Sequence, residues 1–193
     1  MPQREPEYQP FPNEEGRNTR QAALEVPLMV RALRLPSGGR ILEVGCGRGI
    51  ALPVLARLCR PARLVGLDVD PVFLEEAGAR LDAQGVAGAE LVPGDVRSLP
   101  FPDASFDMVV DFGTCYHVAR RADALAEIAR VLAADGLYVH ETPLSQLLSH
   151  PVRSFTRRLP WRAVPELRPY RTAVLWSSRR RSPNAGPRAM LDA

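Results

Sequence analysis

Hydrophobic and polar positions along this chain alternate between two periods. Short apolar runs of strand length, each stopped by glycine, proline or an acid, are followed by stretches in which apolar residues recur at helical spacing. Arg40 to Val44 (RILEV) reads as a first strand, Arg63 to Asp68 as a second, Ala89 to Pro93 as a third, Phe106 to Phe112 as a fourth and Leu137 to Glu141 as a fifth. Between them, Gly49 to Leu58 reads as a helix, with Pro53 near its first turn, where a missing N–H costs least. Asp70-Pro71 opens another that ends near Leu81, with Asp as N-cap and Pro at the first helical position. A third carries Leu125, Ile128, Ala129 and Leu132 at i, i+3, i+4 and i+7, and Asp135-Gly136 stops it. Upstream, from Asn18, Ala22, Ala23, Val26, Val30 and Leu33 share a helical face, and Pro27 either kinks this stretch or starts a second helix. Strands alternating with helices predict right-handed crossovers and an α/β fold, doubly wound, with a mainly parallel sheet covered by helices on both faces.

The two ends depart from this rhythm. Four prolines in the first twelve positions make residues 1–17 an expected extended arm, able to serve as a flap. Beyond Glu141, Thr142-Pro143 can cap a short helix through Leu148, Tyr170 to Ser177 offers one more strand, and residues 178–193 read as an Arg-rich disordered tail. Residues 18–177 are then one domain, as a chain of 193 residues suggests.

Charge sharpens the division. Every one of the 25 basic residues is arginine, so mechanisms that need a Schiff-base or phosphate-loop lysine are excluded. Residues 1–150 hold 15 arginines against 20 acids, whereas residues 151–193 hold 10 against 2, an acidic body with a basic end. That end could attract nucleic acid, an anionic surface or an acidic substrate, but no aromatic interleaves with arginine after Trp176, which speaks against base stacking. Cys46, Cys59 and Cys115 have neither paired nor ligand spacing, so no disulfide framework and no metal site is expected. No apolar run approaches the roughly 20 residues of a membrane span and no signal pattern opens the chain, so a cytoplasmic protein is expected.

The strongest constellation is Glu43-Val44-Gly45-Cys46-Gly47-Arg48-Gly49, between a strand and a helix, where glycines let the backbone approach a ligand and a helix start offers unsatisfied N–H groups. The third glycine comes one position too early for the dinucleotide fingerprint. Glu43 would repel a pyrophosphate and favour an amine- or sulfonium-bearing ligand. Asp68, at the end of the second strand, can accept both hydroxyls of a ribose. Asp95, in Gly94-Asp95-Val96 after the third, can accept from an exocyclic adenine amine. Taken singly, each of these aspartates reads as a helix cap rather than a ligand group.

Together the segments ILEVGCGRG, VGLDVD, VPGDVRSLPFPDASFDMVV and ALAEIARVLAADGLYV, in this order over residues 40–141, closely resemble the class I S-adenosylmethionine-dependent methyltransferases of the small methyltransferase-domain type. The resemblance implies a Rossmann-like fold with S-adenosyl-L-methionine as cofactor. It implies that Gly45, Cys46, Gly47 and Gly49 pass close to the methionine and ribose, with Glu43 below. Asp68 would bind the ribose, Val69 would pack on the adenine, and Asp95 with Val96 would read its edge. Asp111, Phe112 and Gly113 would lie beside the amino-acid part. Such proteins close their sheet with two further strands, and only one candidate lies beyond Glu141, so an incomplete C-terminal pair is expected.

Methyl transfer from a sulfonium is an in-line displacement that needs no nucleophilic side chain, and a base helps only when the acceptor carries a proton. His117 is the best-placed base, with a structural loop histidine as the alternative, and Tyr116 could line an acceptor pocket. His140 and Glu141 are remoter candidates, and His150 reads as structural. Asp111-Phe112-Gly113-Thr114 stands where amino-directed nucleic-acid methyltransferases carry Asn/Asp-Pro-Pro-aromatic, which speaks against DNA adenine or cytosine-amino methylation, and a small-molecule acceptor is expected. An RNA or protein methyltransferase docking through the Arg-rich end, and a cofactor-binding protein without catalysis, are the alternatives. The oligomeric state is not legible.

Overall fold

The computed structural model describes residues 14–32, 35, 37–115, 117–140 and 176–179. Six strands form one sheet in the order β3-β2-β1-β4-β5-β6: β1 Arg40–Val44, β2 Arg63–Asp68, β3 Ala89–Pro93, β4 Phe106–Asp111, β5 Leu132–His140 and β6 Trp176–Arg179. The first five run parallel and β6 returns antiparallel, pairing Trp176 with His140 and Arg179 with Leu137. The helices are α1 Glu14–Arg20, α2 Val26–Ala32, α3 Leu52–Cys59, α4 Pro71–Ala83 and α5 Arg121–Val131. This is the doubly wound arrangement expected.

Strand alternation divides the core in two. Ile41, Leu64, Met108 and Val110 face the side covered by α2, α3 and α4, while Leu42, Val44, Val65, Leu67 and Val109 face α5 through Ala124, Ile128 and Val131. Because β1 lies between β2 and β4 and the chain reverses its direction of growth there, the carboxyl ends of these strands open a crevice, the usual place for a ligand in such sheets.

Several boundaries differ from expectation. Helix α1 begins at Glu14, inside the stretch expected to be extended, because Glu14–Arg20 is helix-compatible although polar and without apolar periodicity. Pro27 is the second residue of α2, so a second helix starts there, one of the two outcomes expected. A π-helical turn, Gln21–Glu25, links α1 to α2, with the Val26 N–H reaching Gln21 O, five residues back. Helix α3 starts at Leu52 rather than Gly49, with Pro53 in its first turn. Asp70 caps α4 as expected, its Oδ1 accepting from Val72 N at 2.9 Å. Leu132, which continued the apolar period of α5, is instead the first residue of β5 and pairs with Phe106, and an irregularity absorbs the Asp135-Gly136 turn, with Asp135 at φ +60°. The last strand is Trp176–Arg179, so it overlaps the start of the stretch expected to be a tail. The expected helix at 142–148, the arm up to residue 13, and the remaining tail lie outside the described residues, as do Tyr116, Glu141 and His150.

Candidate functional site

A cavity of about 490 Å³ opens over the carboxyl ends of β1, β2, β3 and β4. Glu43, Gly45, Cys46, Gly47, Asp68, Val69, Asp95, Val96, Phe112, Gly113 and His117, all singled out by sequence, line it together. Gly49 and Asp111 do not.

The three loop glycines have three different reasons to be glycine. A Cβ on Gly45 would overlap the Thr114 side chain, whose hydroxyl donates to Gly45 O at 3.3 Å and ties the loop to β4. A Cβ on Gly49 would come within 2.8 Å of Ala77, so Gly49 serves the close packing of the loop on α4 and not the cavity. Gly47 has nothing within 4 Å of its would-be Cβ and sits at φ +50°, leaving room above the loop. Cys46 anchors the loop through its N–H to Leu67 O at 3.0 Å. Its thiol is pushed up first by burial and then by Glu43 and Asp68, which leaves it an inert packing group.

Asp68 is 8% exposed. Its Oδ2 accepts from Gly47 N at 2.8 Å and its Oδ1 from Asp70 N at 3.0 Å, so both oxygens are oriented by backbone and keep further acceptor capacity. Burial raises its pKa, and these N–H groups pull against the rise. Next to it Val69 is 73% exposed at the cavity rim, an apolar side chain offered to a flat ligand face. Asp95 is clasped by Arg97, which donates to both oxygens at 2.6 to 3.0 Å and holds the carboxyl below its ordinary range. Val96 is buried beside it.

Asp111 has another task. It is 1% exposed and accepts from the N–H groups of Gly113, Thr114 and Cys115 and from Tyr138 Oη at 3.0 Å. Its oxygens are turned into the protein, where they shape the loop that presents Phe112, Gly113 and His117. Backbone donors two to four residues on capture the side chain, and Asp111 is not among the residues that line the cavity. His117 donates its backbone N–H to Thr114 O at 3.0 Å. Its pKa is lowered by burial and then by Arg17, with Asp111 opposing, so its ring is held neutral. His140 stacks on Tyr138 at 4.7 Å and is not part of the cavity wall.

Sequence reading missed the N-terminal wall. Arg17 of α1 reaches across to donate to Phe112 O at 3.0 Å, and with Asn18 and the buried Gln21 it lines the cavity. The available signal was the polar stretch from Asn13 to Gln21 that contains Arg17, and it carries no address for a partner 95 residues away.

The site therefore combines an open glycine loop, a backbone-oriented carboxyl, an exposed apolar rim residue and a buried acid, Glu43, whose Oε2 has no hydrogen-bond partner among the described residues. Among the described residues no group of His, Cys, Asp and Glu is arranged to hold a metal, and no helix is long and apolar enough to cross a membrane.

Comparison with known proteins agrees with this geometry. The family described as "Methyltransferase domain" matches residues 42–140, about half of the chain. A fatty-acid O-methyltransferase of Mycolicibacterium smegmatis is 40% identical over 103 residues, 53% of this chain and 36% of that protein. A protein of the same organism named "Probable S-adenosylmethionine-dependent methyltransferase" is 34% identical over 107 residues, 55% of this chain and 39% of its own length. The chain thus spans well under half the length of these relatives. Among solved structures, a SAM-dependent methyltransferase from Aquifex aeolicus superposes with a TM-score of 0.58 over 65% of its length and 63% of this chain, at 20% identity, a likeness of fold.

Proposed function

The chain belongs to the methyltransferase-domain family, and from that premise we propose that it binds S-adenosylmethionine and transfers the methyl group to a small organic acceptor. The observation that carries this reading is the cavity over β1, β2 and β4, where the open space above Gly47 adjoins both Asp68 and the orphaned acid Glu43. When bound, S-adenosylmethionine supplies a methyl group on a positively charged sulfur.

The residues present fit such a group. Asp68, braced by Gly47 and Asp70, offers acceptors to a pair of hydroxyls. Val69 offers an apolar face, and Gly94, Asp95 and Val96 close that end of the cavity. Asp95 fits a weaker version of its expected role, because Arg97 occupies both of its oxygens. At the other end, the Arg17 bridge to Phe112 ties α1 to the end of β4 and so fixes the cavity wall, which suits an in-line displacement whose rate depends on positioning. His117, held neutral, can take the proton of a hydroxyl or ammonium acceptor. The apolar wall residues Ile50, Phe73, Phe112 and Val118 suit a lipid-like acceptor, as does the name of the fatty-acid relative.

Calorimetry with S-adenosylmethionine and S-adenosylhomocysteine, followed by transfer of a labelled methyl group to free fatty acids, hydroxylated lipids and phenols, tests the proposal. Micromolar binding and turnover of at least one acceptor are expected, with NADH binding no better than an unrelated nucleotide. Absence of cofactor binding would refute the reading, and tight binding without turnover would favour a non-catalytic binding protein. With a hydroxyl acceptor, His117→Ala should slow turnover by about 10²-fold at unchanged cofactor affinity.

A further inference from the structure

A second cavity, of about 690 Å³, is walled by α1, α3 and α4 and shares Asn18, Arg48 and Ile50 with the wall of the first. Three arginines from separate segments meet in it: Arg48 of the glycine loop, Arg57 in the last turn of α3 and Arg80 in the last turn of α4. A basic residue in a last helical turn suits the helix dipole whichever way it points, and that preference does not bring two such turns to one cavity. Elsewhere in the sheet, arginines spend their charge on carboxylates. Arg40 meets Asp107 at 2.7 Å, Arg63 meets Glu90 at 2.8 Å, and Arg130 is held by both Glu127 and Asp103. Arg48 follows the same rule, with Glu76 at 2.6 Å. Arg57 and Arg80 do not. Arg57 Nη1 donates to Gln84 Oε1 and Arg80 Nε to Arg48 O, both at 2.8 Å, and neither forms an ion pair among the described residues. A neutral oxygen orients a guanidinium without cancelling its charge, and most of the five N–H donors of each arginine stay available. With Glu76 matched by Arg48, the acid left in the wall is Glu15, exposed on α1, so the two guanidiniums outweigh it.

We propose that this second cavity binds a phosphate monoester, with the phosphoryl group on Arg57 and Arg80 and the organic part against Ile50 and Val54. A guanidinium fork takes two oxygens of an oxyanion at once, so two forks suit a phosphoryl group, with its three oxygens and up to two negative charges, better than a carboxylate, which one fork satisfies. Asn18 and Thr19, on α1, add neutral hydrogen-bonding side chains to the wall. The volume lies within the range of small-molecule sites, about 300–1,000 Å³, and is far more than a phosphate ion fills. The apolar side chains of Ile50 and Val54 give the remainder a surface that an inorganic ion cannot use. The proposal stands apart from the cofactor reading, since neither Arg57 nor Arg80 lines the first cavity.

The test is calorimetry on the full chain with phenyl phosphate, inorganic phosphate and, as the uncharged control, phenol. Phenyl phosphate should bind more tightly than inorganic phosphate, phenol should give no measurable heat, and the phosphate affinities should fall as salt is raised from about 0.05 to about 0.5 M. Arg57→Gln and Arg80→Gln should each weaken phenyl phosphate about tenfold or more, the effect of losing hydrogen bonds to a charged group. In amide spectra of the wild type, phenyl phosphate should shift the signals of Arg57, Arg80 and Gln84 and leave those of Asp68 and Gly113, in the first cavity, in place. Full phosphate affinity in Arg57→Gln, phenol binding as tightly as phenyl phosphate, or shifts confined to the first cavity would overturn the proposal. Equal affinity for inorganic and phenyl phosphate would overturn the monoester, because the organic part would then contribute nothing. Should either variant fail to fold, the amide shifts of the wild-type protein decide it.

Discussion

The carboxyl end of β2 and the carboxyl end of β4 place the same residue type on the same rim of the sheet, and the two aspartates end up with different tasks. Asp68 is fixed by two backbone N–H groups, one from the neighbouring glycine loop, and still faces the cavity. Asp111 gathers three consecutive N–H groups and the Tyr138 hydroxyl, and faces away from it. The difference lies in the turn immediately downstream of each aspartate. After Asp68, Asp70-Pro71 commits the chain to a helix whose cap is Asp70 itself. After Asp111, Gly113 turns at φ +100° and the chain folds back on the aspartate. A strand-end acid keeps acceptor capacity toward the cavity when the next turn claims little of it, and becomes a strut when the turn claims it all.

The widest separation between the two ends should come from Asp111→Ala. It strands several buried donors, each costing about 1–3 kcal/mol, so thermal or urea unfolding should show a loss of about 3 kcal/mol or more. A stable protein with weakened cofactor binding would instead return Asp111 to the ligand. Asp68→Ala should do the converse, lowering cofactor affinity by about 1.5–3 kcal/mol in calorimetry with a smaller loss of stability. Unchanged affinity would remove Asp68 from the site.

The glycine loop repeats the contrast on a smaller scale. Gly49→Ala drives a methyl to within 2.8 Å of Ala77 and should destabilise by about 1–3 kcal/mol. The Cβ of Gly47→Val would have nothing within 4 Å among the described residues, so the variant should remain folded, strained at one residue, and no longer bind cofactor. If both variants bind normally, the loop is a turn and nothing more.

The smallest effect concerns the loop that Asp111 shapes. The His117 pKa is lowered in the folded protein, so its contribution to stability is complete above the ordinary histidine range and is lost as pH falls through that range toward the folded value. His117→Gln should flatten this limb of a stability-against-pH curve while leaving the alkaline side unchanged. An identical acid limb in both proteins would mean that the ring is as well solvated folded as unfolded.

How far the chain could be read in advance obeys the same physical division. The first four strands, the Asp70-Pro71 cap and the glycine loop were legible because each depends on residues within a few positions of itself. The start of β5 was not, since Leu132 extends the apolar period of α5 and only its pairing with Phe106 reveals a strand. The inward turn of Asp111 was hidden for a similar reason: Tyr138, one of its donors, belongs to another strand. Arg17 was the largest omission, because nothing near it in sequence indicates that it will meet Phe112.

The π-helical turn between α1 and α2 has a consequence for how that meeting is maintained. Such a turn holds one residue more than an α-helical path between the same points. It also spares Pro27 the steric conflict that its ring would have with Ala23 O in an unbroken α-helix. Deleting a single residue from Gln21–Glu25 would restore α pitch, reimpose that conflict, and rotate everything upstream by about 100° around the helix axis. Arg17 would then swing off the end of β4 with its chemistry intact. The phase of the helix, set by the number of residues in this turn, decides whether the wall of the cavity carries a guanidinium at all.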